Sequence, residues 1–370
     1  MNILGIETSC DETAAAVVKD GRLVLSNVVY TQIPLHVPYG GVVPEIASRA
    51  HVEKISEVVR TAMSDAAKSG DPDAGRIDAV AVTYGPGLSP ALIVGLNAAK
   101  GLAKSLNVPL IGINHIEAHL HTPFLREPGT GEGDMGPGPE DAMPALGLAI
   151  SGGHTTWLDM PAYGEYRVVG QTLDDAAGEA FDKAAKLLGL GYPGGPKVDR
   201  IAREWFETSG ASSRDLIPFP KGRPREGVTA LAGLPAECCV SFSGLKTALL
   251  RYVQQNGGAE ALAAAGEVPR IVASYQEAIV QAVADRTRTA LKRRNCKALI
   301  VGGGVSLNSR LRAVLADTCR RAGVRLLMAQ PKFCGDNGAM IAALAYYRRN
   351  KTGDAAMRLD AAPSLDFETS

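Results

Sequence analysis

Three histidines lie close together in the sequence NHIEAHLH, residues 114–121, of a chain that has six histidines in 370 residues. On a helix, His115 and His119 are one turn apart and share a face, so two imidazoles at this spacing can bind one metal ion. At about 100° per residue, Glu117 points roughly 200° away from either ring and is badly placed to be the general base of a metalloprotease. His121 falls off the shared face. The pair indicates a metal site if a third ligand exists, and otherwise two helix-surface or capping histidines.

The segment FCGDNGAM offers that third ligand. Asp336 follows the last predicted strand and opens the last predicted helix, and His115 has the equivalent place in the first half of the chain. Two imidazoles and one carboxylate with open coordination positions suit iron(II) or zinc. If the two halves are related by a two-fold axis, the ion binds between them. The alternative is that Asp336 only caps the helix.

Glycine-rich segments follow two other predicted strands, ISGGHT at 150–155 and VGGGVSLNSRL at 301–311. Glycine lets backbone amides approach a phosphate closely, and Asn308 offers an amide to a sugar or a base edge. We expect the two segments to hold a nucleotide from opposite domains. A plain β-turn is the alternative for the first segment.

Carboxylates in two further segments are candidates for the site. Asp182 and Asp199, within 177–200, could hold ribose hydroxyls, although most carboxylates on helices are only solvated. The turn after the first strand contains Asp11 and Glu12, which are our candidates for positioning a nucleophile or taking its proton. Turns are often acidic in any case.

Composition limits the class of protein. Lys plus Arg and Asp plus Glu each number 39, which excludes binding of nucleic acid through bulk charge alone. A local cluster, Lys221, Arg223 and Arg225, could contact RNA phosphates, whereas 292–297 and 348–351 are better explained as solvated helix ends. The amino terminus does not resemble a signal peptide, and six cysteines without a C-x-x-C pair fit a reducing cytoplasm.

The order of predicted elements is βββαβαβα, and it occurs twice. This predicts an α/β protein with two similar domains that face a central cleft, where ligands bind at the carboxyl ends of parallel strands. The predicted boundaries are 1–126 for the first domain, 127–143 for a flexible linker, 144–350 for the second domain with a helical insertion at about 191–265, and 351–370 for a tail.

Taken together, the motifs resemble one family, the TsaD (Gcp/YgjD) proteins. The segments that carry the resemblance run in order from Ile3 to about Tyr347: GIETSCDET, YGGVVPEIASRAH, GPGLSPALIVG, HIEAHL, SGGHT, DDAAGEAFDKAAKLLGLGYPGGP, SFSGLKT, GGGVSLN and CGDNGAMIA. Nine linked motifs are far more specific than any one of them. The tail departs from the family, because it lacks the Arg-Pro-Arg-Trp-like ending that is common in relatives.

The resemblance implies an actin-like, sugar-kinase-like ATPase superfold and a bacterial tRNA N6-adenosine threonylcarbamoyltransferase. Such an enzyme transfers threonylcarbamoyl from threonylcarbamoyl-AMP to N6 of adenosine 37, 3′ to the anticodon, in tRNAs that read ANN codons, forming t6A. The implied partners are the TsaB and TsaE subunits, and the implied compartment is the cytoplasm.

The resemblance also implies site residues. One iron ion per subunit, with zinc as a possible substitute, is expected at His115, His119 and Asp336. The residues expected to bind the intermediate are Ala149, Ile150, Ser151, Gly152, Gly153, Asp182, Gly195, Asp199 and Asn308. Three other functions remain alternatives: a metal-dependent glycoprotein endopeptidase, a small-molecule kinase of the same superfold, and a nucleotide-binding regulatory subunit.

Overall fold

The computed structural model describes residues 1–129, 136–224, 234–349, 354–365 and 367. Arg225 and parts of the predicted linker, insertion and tail lie outside the described residues. The chain divides into two compact units, residues 1–142 together with 328–370, and residues 143–327.

The first unit is built on a five-stranded sheet in the order β3-β2-β1-β4-β5. Strand β1 pairs antiparallel with β2 and parallel with β4, and β4 pairs parallel with β5. The elements are β1 (Asn2–Glu7), β2 (Glu12–Lys19), β3 (Leu23–Thr31), α1 (Ile33–His36), α2 (Pro44–Ala67), β4 (Ala79–Gly85), α3 (Ser89–Leu106), β5 (Leu110–Asn114) and α4 (His115–His121).

The second unit repeats this topology, with a five-stranded sheet in the order β10-β9-β6-β7-β8. Strand β6 takes the place of β1, antiparallel to β7 and parallel to β9. The elements are β6 (Ala145–Ile150), β7 (Thr155–Met160), β8 (Arg167–Gln171), α5 (Ala177–Leu187), α6 (Gly194–Ser209), α7 (Ser243–Gln255), α8 (Ala259–Ala264), α9 (Val268–Lys292), β9 (Ala298–Gly302), α10 (Ser309–Ala322) and β10 (Arg325–Met328). The repeated α/β order predicted from the sequence is therefore confirmed.

The last helix, α11 (Gly338–Arg348), packs on the first sheet, which differs from the predicted second domain of 144–350. Every residue of β1 is buried, and Gly5 at its centre lets the backbone of α11 approach directly. A Cβ at Gly5 would lie 2.5 Å from Ala342 N, and one at Gly338 would lie 2.6 Å from Ala15 C. Only glycine at both positions allows a contact this close, so the final element of the chain completes the first unit.

The tail and the linker also contact the first unit. The Lys100 ammonium donates to Leu359 O at 2.6 Å, and Ala362 N donates to Tyr84 O at 2.7 Å. Of the linker predicted at 127–143, the described part contains a helical turn, Glu140–Ala142, whose last residue is buried. No helix within the described residues is both long and apolar enough to cross a membrane.

Two glycine-to-alanine changes test this packing because they are expected to have opposite signs. Gly5→Ala places a methyl group against backbone atoms and should cost about 1–3 kcal/mol or more in the free energy of unfolding. Gly101→Ala in α3 meets nothing within 4 Å and should gain about 0.5–1 kcal/mol through helix propensity. Thermal unfolding midpoints of both variants check this, and a neutral Gly5→Ala would contradict it.

Candidate metal centre and substrate site

The two histidines are positioned by the junction between β5 and α4. Strand β5 ends at Asn114, whose side chain caps α4 by accepting hydrogen bonds from Ile116 N at 2.9 Å and Glu117 N at 3.2 Å. His115 is therefore the first helical residue, at the carboxyl end of a parallel strand, and His119 follows one turn later. Both rings are buried, at 8% and 1% exposure.

Asp336 precedes the residue that caps α11 and does not cap the helix itself. Asn337 is the residue that caps α11, accepting from Met340 N at 3.0 Å and donating to Gly335 O at 2.8 Å. The alternative that Asp336 only caps the helix is therefore wrong. Its carboxylate instead lies against the two histidine rings.

The three side chains form a compact group. Asp336 Oδ1 lies 3.0 Å from His119 Nε2 and 3.6 Å from His115 Nε2. The two rings pack edge to face at 4.7 Å, and one ligand atom from each residue falls within 4.8 Å of the others. All three residues belong to the first unit, because α11 packs on the first sheet. This corrects the expectation that the ion binds between the two halves.

Glu7 supports His115 from the side opposite the ligand nitrogen. It is fully buried, and its Oε2 accepts from His115 Nδ1 at 3.1 Å and from Thr83 Oγ1 at 2.5 Å, while Oε1 accepts from Ser9 N at 2.5 Å. A carboxylate that holds Nδ1–H leaves the lone pair on Nε2, the nitrogen that faces Asp336. Sequence reasoning missed this role. The available signal was a carboxylate that ends a strand otherwise composed of apolar residues, Gly5 and Asn2.

The electrostatics of the group favour a cation. Burial disfavours a charged imidazole, but the carboxylates of Asp336 and Glu7 outweigh it and raise the pKa of His115 to about 9. Burial likewise opposes ionisation of Glu7, yet the neighbouring His115 lowers the pKa of Glu7. In the metal-free chain, a proton on His115 thus supplies positive charge that an ion would supply when bound. Two Nε2 atoms and one carboxylate oxygen fit a divalent transition metal.

Glu117 and His121 lie outside this group, as the helical spacing predicts. The Glu117 carboxylate accepts from Arg348 Nε at 3.0 Å in a buried ion pair between α4 and α11. It is therefore committed to structure and is not available as the base of an endopeptidase. His121 Nε2 contacts Gly21 O at 3.3 Å, and burial lowers the pKa of His121 to about 4.

The acidic turn after β1 lies in the electrostatic field of the same group. Burial first, and then the charges of Asp336 and Asp11, raise the pKa of Glu12 well above its usual range. Glu12 Oε1 also accepts from Thr31 Oγ1 at 3.3 Å. Burial and the same acids raise the pKa of the Cys10 thiol. The raised pKa of Glu12 means that this position favours the protonated carboxyl over the carboxylate.

Comparison with known proteins identifies the family. The model for the family TsaD, tRNA N6-adenosine threonylcarbamoyltransferase, matches residues 23–343. The chain belongs to this family. A tRNA N6-adenosine threonylcarbamoyltransferase of Clostridium perfringens is 43% identical over 363 residues, covering 98% of this chain and 97% of the relative. One of Anaeromyxobacter sp. is 45% identical over 357 residues, covering 95% and 97%. The crystal structure of T. kodakarensis HypF shares the fold, with a TM-score of 0.53, 15% identity and coverage of 97% of this chain and 49% of that one.

The glycine segments expected to bind substrate in TsaD proteins lie side by side in the second unit. They end β6 and β9, which are neighbouring parallel strands with Ala149 opposite Gly302. This corrects the expectation that they act from opposite domains. Gly303 has φ +103° and sits against Ile150 O, where a Cβ would collide. A Cβ at Gly152 would meet nothing within 4 Å, so this turn is open on its outer side.

The polar residues expected to bind substrate have hydrogen-bond partners within the second unit. Asp182 Oδ1 accepts from Gly194 N at 2.7 Å, next to Gly195, at the start of α6. Asp199 accepts from Ser309 Oγ at 2.8 Å. Asn308 caps α10 and donates to Gln276 Oε1 at 2.7 Å. The turn itself is closed by Ser151 N donating to His154 O at 2.8 Å, with Gly153 exposed between them.

The basic residues singled out in the sequence differ in exposure and in ion pairing. Lys221 and Arg223 are exposed. Arg348 is buried against Glu117, so the expectation of a solvated helix end is wrong at that position. Arg293 pairs with Glu237 at the surface.

Replacing Glu7 by Gln tests its role toward His115. The amide keeps the shape but can donate to Nδ1, which would place the proton on Nε2 and remove the ligand lone pair. We expect about 10–100-fold weaker binding of Fe²⁺, Zn²⁺ or Co²⁺, measured by competition with a chelator, although no ligand is changed. Thr83→Val, which removes one donor to Glu7, should have a smaller effect in the same direction. Equal metal affinity in Glu7→Gln and wild type would contradict the assignment.

Proposed function

We propose that this chain is the catalytic subunit that transfers threonylcarbamoyl from threonylcarbamoyl-AMP to N6 of adenosine 37 in tRNAs reading ANN codons. The observation that carries the proposal is the family match over residues 23–343, together with relatives of 43–45% identity along nearly the whole chain. The acyltransferase works in the cytoplasm, where its tRNA substrate is found.

The metal in this proposal is one Fe²⁺ ion, with Zn²⁺ as a substitute, held by His115 Nε2, His119 Nε2 and the Asp336 carboxylate. The donor set supports it, because two imidazoles and one carboxylate leave coordination positions open. When bound, the ion supplies Lewis-acid polarisation of the threonylcarbamoyl carbonyl. Glu7 holds His115 in the tautomer that this requires.

The residues of the second unit bind the adenylate in this proposal. In the turn Ser151–Gly153, the exposed residues Gly152 and Gly153 offer their backbone amides to the phosphate, where charge collects as AMP leaves. Asp182 and Asp199 hold the ribose hydroxyls with the lone pairs that their structural partners leave. The amide of Asn308 is near the second glycine segment and orients the sugar or base. The remaining expected contacts are Ala149, Ile150 and Gly195.

The exocyclic amine of adenosine is a poor nucleophile, because its lone pair is delocalised into the ring. The chain must therefore orient it and take one proton. Asp11 and Glu12 are the proposed groups. Either carboxyl group could position the amine or take its proton.

The proposed partners are TsaB and TsaE. An apolar groove of about 460 Å³ between α2 and α3 supports docking of a partner protein on the first unit. Its walls include Ile55, Val59, Met63 and Leu102, and two strongly exposed apolar residues, Val52 and Ile93, lie on the same two helices. Exposed apolar grooves of this kind mark protein-binding surfaces.

The nucleotide placement can be tested at the open turn. Gly152→Val adds a side chain where the phosphate is proposed to sit, and its Cβ meets no protein atom within 4 Å. AMP binding should therefore weaken at least about tenfold in calorimetry, which corresponds to about 1.4 kcal/mol. Gly244→Val is the matched control, because Gly244 is exposed on α7 and a Cβ there also meets nothing within 4 Å. Equal AMP affinity in Gly152→Val and the control would refute this placement.

The reaction itself is tested without ATP. The chain, TsaB and TsaE are given preformed threonylcarbamoyl-AMP and unmodified tRNA, and nucleosides are analysed by mass spectrometry. We expect threonylcarbamoyladenosine in a single turnover, and its loss together with loss of bound iron in His115→Ala. Omitting TsaB or TsaE tests the dependence on each partner. Absence of the modified nucleoside, with cleavage of a glycoprotein or phosphorylation of a sugar by the same protein, would show that the assignment is wrong.

A further inference from the structure

The segment 32–43, which joins β3 to α2, exposes three large apolar side chains. Leu35 is 41% exposed, Val37 46% and Tyr39 62%. The segment consists of α1, a 3₁₀ turn from Val37 to Tyr39, and Gly40 at φ +69°, a left-handed conformation that favours glycine. Clustered exposed apolar side chains mark a binding surface.

A buried polar network anchors the same segment. Val43 N donates to His36 Nδ1 at 3.3 Å, so His36 Nε2 carries the proton and donates to Gln32 Oε1 at 3.3 Å. Gln32 Nε2 donates to His51 Nδ1 at 3.2 Å, and His51 Nε2 then donates to Cys10 O at 3.0 Å. Each of these four bonds thus pairs one donor with one acceptor. The three linked side chains of this network, from His36 to His51, are fully buried.

The network fixes the exposed segment to the acidic turn. Gln32 N donates to Asp11 O at 2.9 Å, and Thr31 Oγ1 donates to the Glu12 carboxylate at 3.3 Å. Thr13 Oγ1 completes the connection by contacting His51 Nδ1 at 2.7 Å. Satisfied buried networks hold their members in one arrangement. The exposed ring of Tyr39 therefore belongs to a segment that buried hydrogen bonds hold in place and connect to the turn of Asp11 and Glu12.

We propose that Tyr39, flanked by Leu35 and Val37, is a stacking platform for a nucleobase of the single-stranded anticodon loop of the tRNA substrate. This inference rests on the proposed function. Proteins recognise RNA loops by splaying bases out and stacking them on aromatic side chains, and an enzyme that acts on a base must take it out of its stack. The segment that carries this ring is hydrogen-bonded at its start to the acids that are proposed to receive the adenine, which suits it for this task.

A nucleobase fits this surface better than a protein partner does. Three apolar side chains are few for a stable protein interface, which engages roughly 20–30 residues on each side. The groove between α2 and α3 already offers an apolar surface for a protein. One aromatic face with apolar neighbours is what a single stacked base requires.

The test compares tRNA affinity and the KM for tRNA in the assembled complex of this chain with TsaB and TsaE. Tyr39→Ala should weaken tRNA binding about fivefold to a hundredfold, the range expected for one lost base–aromatic stack. Tyr39→Phe keeps the ring and should stay within about twofold of wild type, since stacking needs no hydroxyl. Leu250→Ala, at a residue 37% exposed on α7, is the control for loss of an exposed apolar side chain and should behave as wild type.

The readouts separate this inference from the proposed function. Bound iron, the thermal midpoint and assembly with TsaB and TsaE should be unchanged in Tyr39→Ala. Unchanged tRNA affinity in Tyr39→Ala would overturn the inference, and so would loss of partner assembly with normal tRNA affinity, which would identify a protein contact. In both cases wild type still forms threonylcarbamoyladenosine, whereas failure of wild type to form it refutes the function itself.

Discussion

The direct contact of α11 with the first sheet is the constraint on which the metal group depends. Gly5 in β1 and Gly338 in α11 let the two backbones approach with no side chain between them. That approach carries Asp336, two residues before Gly338, to the carboxyl end of the sheet, where β5 delivers His115. The buried ion pair of Glu117 with Arg348 ties α4 to α11 at another point. Removing one partner of such a pair costs about 3–5 kcal/mol, so the spacing between the ligands is strongly enforced.

Buried negative charge is the second constraint. The charge of Asp336 raises the free-energy cost of ionising both Glu7 and Glu12. In the metal-free chain these charges raise the pKa values of His115 and Glu12. A bound divalent cation would also neutralise this negative charge, and its coordination would fix the positions of the ligands. The group is therefore preorganised for a cation by its acids as much as by its imidazoles, and Glu7 contributes without being a ligand.

The second unit shows how one topology serves two kinds of site. Strands β1 and β6 occupy equivalent positions, and each is followed by a tight turn at the carboxyl end of a parallel pair. In the first unit the turn holds acids, and the neighbouring strand β5 leads into histidines. In the second unit the turns after β6 and β9 hold glycines, of which Gly152 and Gly153 are exposed and Gly303 is buried against Ile150. Fold-level likeness to HypF therefore says little about chemistry, which depends on the side chains at these strand ends.

Local patterns determined much of this protein from the sequence alone. The i, i+4 spacing of His115 and His119, the direction of Glu117 and the doubled βββαβαβα order all follow from periodicities of 3.6 and 2 residues, which depend only on nearby residues. The nine linked motifs indicated the family for the same reason, since each is a short run of residues.

Only the tertiary structure decided which distant elements meet. It assigned Asp336 to the unit of the histidines, gave the capping role to Asn337, placed Glu7 behind His115 and set the two glycine segments on neighbouring strands of one sheet. Packing of α11 on β1 depends on a contact between residues more than 300 positions apart, and neither Gly5 nor Gly338 signals that contact in its own segment. The spacing of residues in the sequence predicts on which face of a helix or strand a side chain lies. Which element packs against that face depends on contacts between residues that are distant in the sequence.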